Sequence, residues 1–418
     1  MRTASRRSVF SGAGFTFTVK QKTERPLRFF PGVGLPELFT PERHEPLAGH
    51  EFSEEAAREA IARIVERAES DLVDGLWPLD DEDRISEDEG PGNGLYYGAA
   101  GIAWALGELG RPVERELVER LGADDPTVAG SVWGGIPGVL AVAERFWPDA
   151  SRRDRIAEYA WASLDSSTLE VMFGHPGHML LAAQLHERTG EPRWAKFWSA
   201  GADLLLERWQ HDDELDVWAW TQRLGGHEVR YVGAAHGLVG NVHALRKGPS
   251  ARENVEERAV ATLSRLAFVK EGHANWPPSV GGPLVANDRI RVQWCHGAPG
   301  ILISMWDAAP ADAAWSELLL AAGRLVWDAG PLSDAPGICH GTSGSAYALL
   351  ALWRRTGNDL WLERARALAA HAAAQVEARA ARRGHARHSL FTGDEGVALC
   401  LASCIPDDKR FPVLDRLI

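Results

Sequence analysis

Two kinds of hydrophobic pattern alternate along the chain. From Phe52 onward, Ile61, Ile64, Val65, Ala68 and Leu72 recur at three- and four-residue spacing with Glu and Arg between them, which predicts an amphipathic helix with one buried face. An acidic, Gly-containing connection (Asp80 to Gly94) follows, and Tyr97-Gly98-Ala99-Ala100-Gly101 then leads into the far more apolar Ile102-Ala103-Trp104-Ala105-Leu106. That alternation repeats. A G-x-x-G turn opens an apolar helix at Gly98/Gly101, Gly135/Gly138, Gly174/Gly177, Gly237/Gly240, Gly297/Gly300, Gly341/Gly344 and Gly393/Gly396. The interval is roughly 40 to 60 residues, in the range of tandem helical-pair repeats. Between turns lie helices with a charged face: Trp194, Phe197, Trp198, Leu205 and Trp209 mark one, and Trp315, Leu318, Leu319 and Trp327 another.

Helices that are hydrophobic nearly all round belong inside and amphipathic ones outside. Seven of each predict an all-α fold, a closed seven-fold α/α toroid over residues 52–418 with inner and outer rings of seven helices. Glycine lets the backbone turn tightly and approach its neighbours where each inner helix begins. All seven turns then lie at one end, with helix N–H groups free at a common mouth, an arrangement suited to anionic or electron-rich ligands. One such turn is an ordinary helix entry; seven in register carry the reading. Residues 1–51 show no helical period. Phe15, Phe17 and Val19 alternate with Thr and Lys as in a short strand or hairpin, and Pro26, Pro31, Pro36, Pro41 and Pro46 keep the chain extended. The expectation there is an arm laid over the body, or a partly disordered tail.

Composition narrows the partners. A net charge of −13 argues against general affinity for nucleic acid or anionic membrane. No apolar run approaches the roughly 18–20 residues needed to span a bilayer. Ser5-Arg6-Arg7-Ser8-Val9-Phe10 faintly resembles a twin-arginine export signal, but its apolar region is short and stops at Lys20. A cytoplasmic protein is expected, and acidic charge on an unbroken toroid leans towards a monomer. Four cysteines in 418 residues make no disulfide framework and leave free thiols available as metal ligands.

Two of those thiols stand in a repeated triplet, Cys295-His296-Gly297 at the fifth turn and Cys339-His340-Gly341 at the sixth. If the two turns are neighbours, Cys295 and the Cys339-His340 pair lie a few ångströms apart. Soft sulfur with borderline nitrogen suits Zn²⁺, and three protein ligands leave the open position of a catalytic site. A single Cys-His pair would be read as a buried thiol beside a capping imidazole; two at equivalent places favour metal. Spacing alone leaves open which of His296 and His340 is a ligand. His236, just before the glycine pair of the fourth turn, is placed to act as general acid or base. Glu170, four residues before Gly174, could orient it or accept protons, and His175 and His178 are weaker candidates. Cys400 and Cys404, at i and i+4 after the seventh turn, read as buried small residues before they read as a second metal site.

These motifs resemble the lanthionine synthetase C-like (LanC-like) family from about residue 52 to the C-terminus. The carriers are Tyr231-Val232-Gly233-Ala234-Ala235-His236-Gly237-Leu238, Trp294-Cys295-His296-Gly297-Ala298-Pro299-Gly300 and Cys339-His340-Gly341-Thr342-Ser343-Gly344. Asn275-Trp276-Pro277-Pro278, Ser389-Leu390-Phe391 and Arg410-Phe411-Pro412 support them. The resemblance implies one Zn²⁺ held by Cys295, Cys339 and His340. It also implies activation of a thiol, from a peptide cysteine or glutathione, for addition to dehydroalanine or dehydrobutyrine in a peptide or protein. The product is a thioether of lanthionine type, with His236 handling the proton of the resulting enolate. Glu170, His296 and Arg291 are the further catalytic candidates.

The spelling of turns four and five is closer to the stand-alone eukaryotic LanC-like proteins, and His296 follows them where peptide cyclases often carry Tyr. Glu170 stands where cyclases tend to have Asp, whereas Arg291, four residues before Cys295, is cyclase-like. The stand-alone proteins have a glutathione-holding lysine five residues before the second cysteine; here the position is Asp334. No dehydratase-like segment is present, so a dehydrated substrate is expected from another protein. Two other function classes are compatible with the pattern: a non-catalytic LanC-like scaffold binding zinc and a thiol peptide, and, more remotely, an α/α-toroid glycosidase using paired carboxylates and some of the 17 tryptophans.

Overall fold

The computed structural model describes residues 37–49, 51–73, 76–83, 92–121, 130–224, 227–281, 290–405 and 410–418. The Phe15–Val19 alternation, the first prolines and the segment 84–91 lie outside them. Contacts divide the chain into Met1–Gly34 and Leu35–Ile418, and the helical body belongs to the second unit.

Burial alternates from helix to helix as the pattern predicts. The odd-numbered helices are α1 (Glu54–Ser70), α3 (Arg115–Leu121), α5 (Ala150–Ala162), α7 (Pro192–Glu207), α9 (Val255–Leu266), α11 (Ala313–Ala329) and α13 (Asp359–Arg383). Each buries one stripe. In α1, capped by the Ser53 side chain, the buried residues are Ala57, Ala60, Ile64, Val65 and Ala68. The even-numbered helices are α2 (Ala99–Glu108), α4 (Ile136–Phe146), α6 (His175–Thr189), α8 (Leu238–Arg246), α10 (Ala298–Met305), α12 (Thr342–Thr356) and α14 (Asp394–Cys404). These are buried on all faces, α10 throughout and α12 without a break from Thr342 to Leu352. Inner helices pack on inner helices (α2 on α4, α6 on α8, α8 on α10, α10 on α12, α12 on α14), and α14 returns to α2. The ring closes.

The turns themselves are stitched around the same ring. The Tyr96 amide donates to the Trp133 carbonyl at 2.9 Å, and the Ser131 hydroxyl to the Met172 carbonyl at 2.5 Å. Asn241 of α8 reaches the Leu169 carbonyl at 2.9 Å, Gln293 reaches the His340 carbonyl at 3.5 Å, Cys339 donates to Phe391 at 2.8 Å, and Phe391 to Tyr96 at 3.1 Å. What makes glycine obligatory is the approach of each helix to the strand of chain entering it. A Cβ on the second glycine of any of the seven turns would come within 2.0–2.2 Å of the carbonyl oxygen six residues earlier, as at Gly138 with Val132. Gly138→Ala is therefore expected to destabilise the fold by about 1–3 kcal/mol, through displacement of backbone that cannot rotate away. A melting temperature equal to the wild type's would show that the turn relaxes instead.

One expectation about the mouth is corrected. The first amides of several inner helices are not free, because the entering chain folds back over them. Ala99, Leu238, Thr342 and Asp394 donate to Gly92, Tyr231, Ala335 and Arg387, each seven residues earlier, and Ala298 donates to the Asn275 side chain at 2.8 Å. The end of the ring where the turns lie is thus poorer in free donors than helix N-termini usually are.

Phe411, Val413, Leu414 and Leu417 of the last segment are buried against the inner helices. Phe411 packs against Trp294 at 5.4 Å and Tyr347 at 5.2 Å, while the Gln184 side chain of α6 donates to the Val413 and Leu414 carbonyls at 3.0 and 3.2 Å. Three short antiparallel hairpins that the pattern did not predict join outer to inner helices: β1 (Gln210–Asp212) with β2 (Val217–Ala219), β3 (Gln222–Leu224) with β4 (His227–Val229), and β5 (Phe268–Lys270) with β6 (His273–Asn275). Residues 37–49 pair with this body. Glu45 accepts from His371 and Gln375 of α13, each at 2.7 Å, and His44 bonds the Gly330 carbonyl at 3.0 Å.

A buried ionic clamp ties α1 to the seventh turn. His388 lies 2.7 Å from Glu395 at the start of α14 and 3.0 Å from Asp71 at the end of α1. Burial lowers its pKa, but the charge and hydrogen bond of Glu395 and the Asp71 contact outweigh it and raise it from 6.5 to about 9. A histidine whose folded pKa is raised contributes fully below its unfolded pKa and loses that contribution as pH rises through the folded value. Stability is expected to fall by about 2–3 kcal/mol between pH 6.5 and 9, and His388→Asn should flatten that slope, as read by denaturant unfolding across the range. Burial also raises Asp394 to about 7, so its titration acts in the same direction.

Candidate functional site

Between the turns opens a cavity of about 350 Å³. The fifth and sixth turns are neighbours, and they bring Cys295, Cys339 and His340 together with one ligand atom from each within 4.8 Å of the others. The cysteines are buried and His340 is exposed. The local backbone explains the placement. Gly297 takes a positive φ of 108°, a region natural only to glycine, and Asn275 holds the turn by bonding the Arg291 carbonyl at 3.2 Å and the Ala298 amide. Cys339 is fixed by its own amide on Phe391.

One pair of the candidate donors stands at the spacing a tetrahedral metal needs. A tetrahedral ion with thiolate bonds of about 2.3 Å and imidazole bonds of about 2.0–2.1 Å needs donors about 3.6–3.8 Å apart. Cys339 Sγ and His340 Nε2 are 3.6 Å apart. The thiols also prefer to share a proton. A hydrogen bond from Cys339 holds the Cys295 thiol well below the ordinary thiol range, whereas burial and the adjacent Cys295 sulfur push Cys339 well above it. Two thiolates at this point therefore call for a cation between them.

Across the cavity, His236 bonds Glu170 through Nδ1 at 3.0 Å. Glu170 is wholly buried and also accepts the Met172 and Phe173 amides at 2.8 and 2.7 Å. Burial lowers the His236 pKa, but the hydrogen bond and charge of Glu170, with a contribution from Cys295, leave it raised. His296 lies 6.3 Å from the His236 ring and 5.3 Å from Tyr231, ring centre to centre, and burial lowers its pKa. Arg291 is exposed and lines the cavity, and no carboxylate among the described residues pairs with it. Six of the seven leading candidates, Cys295, Cys339, His340, His236, His296 and Arg291, thus line one cavity, and Glu170 reaches it through His236. Among the described residues the cavity lining holds no carboxylate, and so none of the paired acids that a glycosidase needs.

The family model for lanthionine synthetase C-like proteins matches residues 130–415, more than half of the chain. The chain belongs to that family. Among LanC-like relatives it is 33% identical over 193 residues to LanC-like protein GCL1 of Arabidopsis thaliana, covering 44% of this chain and 43% of that protein. It is 30% identical over 194 residues to Glutathione S-transferase LANCL1 of Danio rerio, covering 45% and 47%. The matches thus span somewhat less than half the length of these curated relatives. Among solved structures, Nisin cyclase superposes with a TM-score of 0.59 at 15% identity, over 84% of this chain and 94% of that one, which shows a shared fold. No helix among the described residues is long and apolar enough to cross a membrane.

Some of the LanC-like cavity was missed by reading motifs. Tyr96, Tyr97, Trp133, Met172 and Phe173 line it from the first three turns. Tyr96 stacks on Phe391 at 5.3 Å, and burial together with the nearby Cys339 pushes its hydroxyl well above the usual phenol range. The available signal was positional: each residue stands just before a G-x-x-G glycine, as Cys295 and Cys339 do. His175 and His178 do not line the cavity; both are buried in the first turn of α6, their pKa values lowered by burial to about 4. Cys400 and Cys404 are buried in α14, where Cys400 contacts the Ser343 carbonyl at 3.7 Å.

Proposed function

We propose that the chain is a zinc-dependent enzyme that adds a thiol to a dehydroamino acid and so forms a thioether. The observation that carries this reading is the meeting, in one cavity, of a Cys-Cys-His donor group with a histidine held by a buried carboxylate. Cys295, Cys339 and His340 would hold Zn²⁺, which when bound lowers the pKa of a substrate thiol and presents it as a thiolate. Two cysteine thiolates donate enough charge to leave an incoming thiolate weakly held and nucleophilic.

The remaining steps belong to side chains of the protein. The sulfur bonds to Cβ of dehydroalanine or dehydrobutyrine, and the C=C electron pair moves onto Cα and the adjacent carbonyl oxygen. His236, whose pKa the Glu170 hydrogen bond and charge hold raised against burial, delivers the proton to Cα. Arg291 faces the same cavity as the one guanidinium in its described lining, suited to the oxygen on which charge develops. Asp334, at the position of the glutathione-holding lysine, pairs with Arg382, and this favours a peptide cysteine as thiol donor over glutathione.

The deciding experiment incubates zinc-loaded protein with a dehydroalanine peptide and either an internal cysteine or glutathione, and follows the product by mass spectrometry. Thioether formation well above the uncatalysed rate, lost on chelation and restored by zinc, is expected. Equal rates with and without protein for both thiols would sink the proposal.

A further inference from the structure

We propose that the half of the cavity built by the first three turns, with Phe173 at its lip, is a subsite for an apolar side chain of the peptide that carries the dehydroamino acid. This deepens, and rests on, the function proposed above. The lining divides by turn. Turns four to six supply His236, Arg291 and the Cys-Cys-His donors; turns one to three supply Tyr96, Tyr97, Trp133, Met172 and Phe173, with no charged side chain among the described residues. The helix amides that could have made this wall polar are partly consumed, since those of Ala99, Ala100 and Gly101 donate to Gly92, Asn93 and Gly94.

Phe173 is the exposed member. It is 47% accessible, while Trp133 and Met172 are 1% and 6%. It is also held in place. Its amide donates to Glu170 at 2.7 Å, and its ring lies nearly parallel to His236, 5.9 Å away with 23° between the planes. A large apolar ring kept half in solvent beside the proton donor has surface to offer a ligand. With Cβ of the dehydroamino acid at the donors and its carbonyl towards His236 and Arg291, a neighbouring side chain reaches turns one to three. An apolar one gains there by burial, whereas the charged ends of glutathione gain nothing.

Binding of unreactive peptides tests this apart from the chemistry. In a series with Ala in place of dehydroalanine, the adjacent residue is Phe, Leu, Gly or Asp, and affinity for the zinc-loaded protein is measured by calorimetry. Wild type is expected to bind the Phe and Leu peptides about tenfold more tightly than the Gly peptide, the effect of burying one such side chain, with no gain for Asp. Phe173→Ala should reduce that preference to less than about threefold and Phe173→Leu restore it, each variant melting as a folded protein. Absence of the preference in wild type, or its persistence in Phe173→Ala, would overturn the proposal. A preserved preference without any thioether product would instead overturn the reaction and leave the subsite standing.

Discussion

Cys295→Ala is expected to lose bound zinc and to lower thioether formation by about 10³-fold or more, since a Lewis acid at such a site is worth several kcal/mol of barrier. The reason lies in the number of donors. Three ligands within 4.8 Å leave one position for a substrate thiol, and removing Cys295 leaves only the adjacent Cys339-His340 pair from one turn. That pair cannot fix a tetrahedral ion against chelation by water and buffer. Fold loss does not account for the effect, because the part of Cys295 that braces the ring is its main chain. Its carbonyl sits 2.0 Å from where a Cβ on Gly233 would be, and the alanine keeps it. Cys400→Ala is the control: an equally buried thiol in α14, outside the cavity, whose loss should leave zinc content and rate near the wild type's. Metal analysis by mass spectrometry and a product assay read both. Full zinc occupancy with undiminished rate in Cys295→Ala would remove that residue from the site.

The parts of this protein that were legible in its sequence are those that repeat. Each G-x-x-G marks a place where a Cβ would strike a carbonyl oxygen, a constraint that admits one residue type and therefore shows at every turn. The inner helices were visible because α10, and α12 from Thr342 to Leu352, are buried without a break and carry no charged residue on any face. The cluster of Cys295, Cys339 and His340 was visible because thiols are scarce and two stand at equivalent positions. The free helix amides expected at the mouth were not found at several turns, since a pattern of side chains says nothing of where the entering chain sends its carbonyls. The hairpins escaped because three-residue strands are too short to establish a period of two. The aromatic wall escaped because Tyr96, Trp133 and Phe173 look like ordinary core residues until the ring has closed. Trp133, which is buried against Phe391 at 4.9 Å, shows the cavity only an edge, whereas Phe173, on the same kind of turn, stands half in solvent.

The second large effect separates the proton from the metal. His236→Asn is expected to slow thioether formation by about 10²–10³-fold while leaving zinc bound, the usual contribution of a positioned general acid. Glu170→Gln should approach the same loss by a different route. The carboxylate accepts from the Met172 and Phe173 amides and from His236, and it holds the histidine's pKa up. Glutamine retains one acceptor oxygen but turns an N–H₂ towards a donor, so a destabilisation of about 1–3 kcal/mol is expected beside the catalytic effect. The readout that distinguishes the two is pH. With its raised pKa lost, His236 is deprotonated earlier, and the alkaline limb of the rate profile in Glu170→Gln should move to lower pH. Because Glu170 acts on the reaction through His236, the double variant should be no slower than about the slower single one, a non-additivity that independent sites do not give. Multiplicative losses in the double variant would mean that Glu170 acts on the substrate directly, and that the buried carboxylate is more than the support of its histidine.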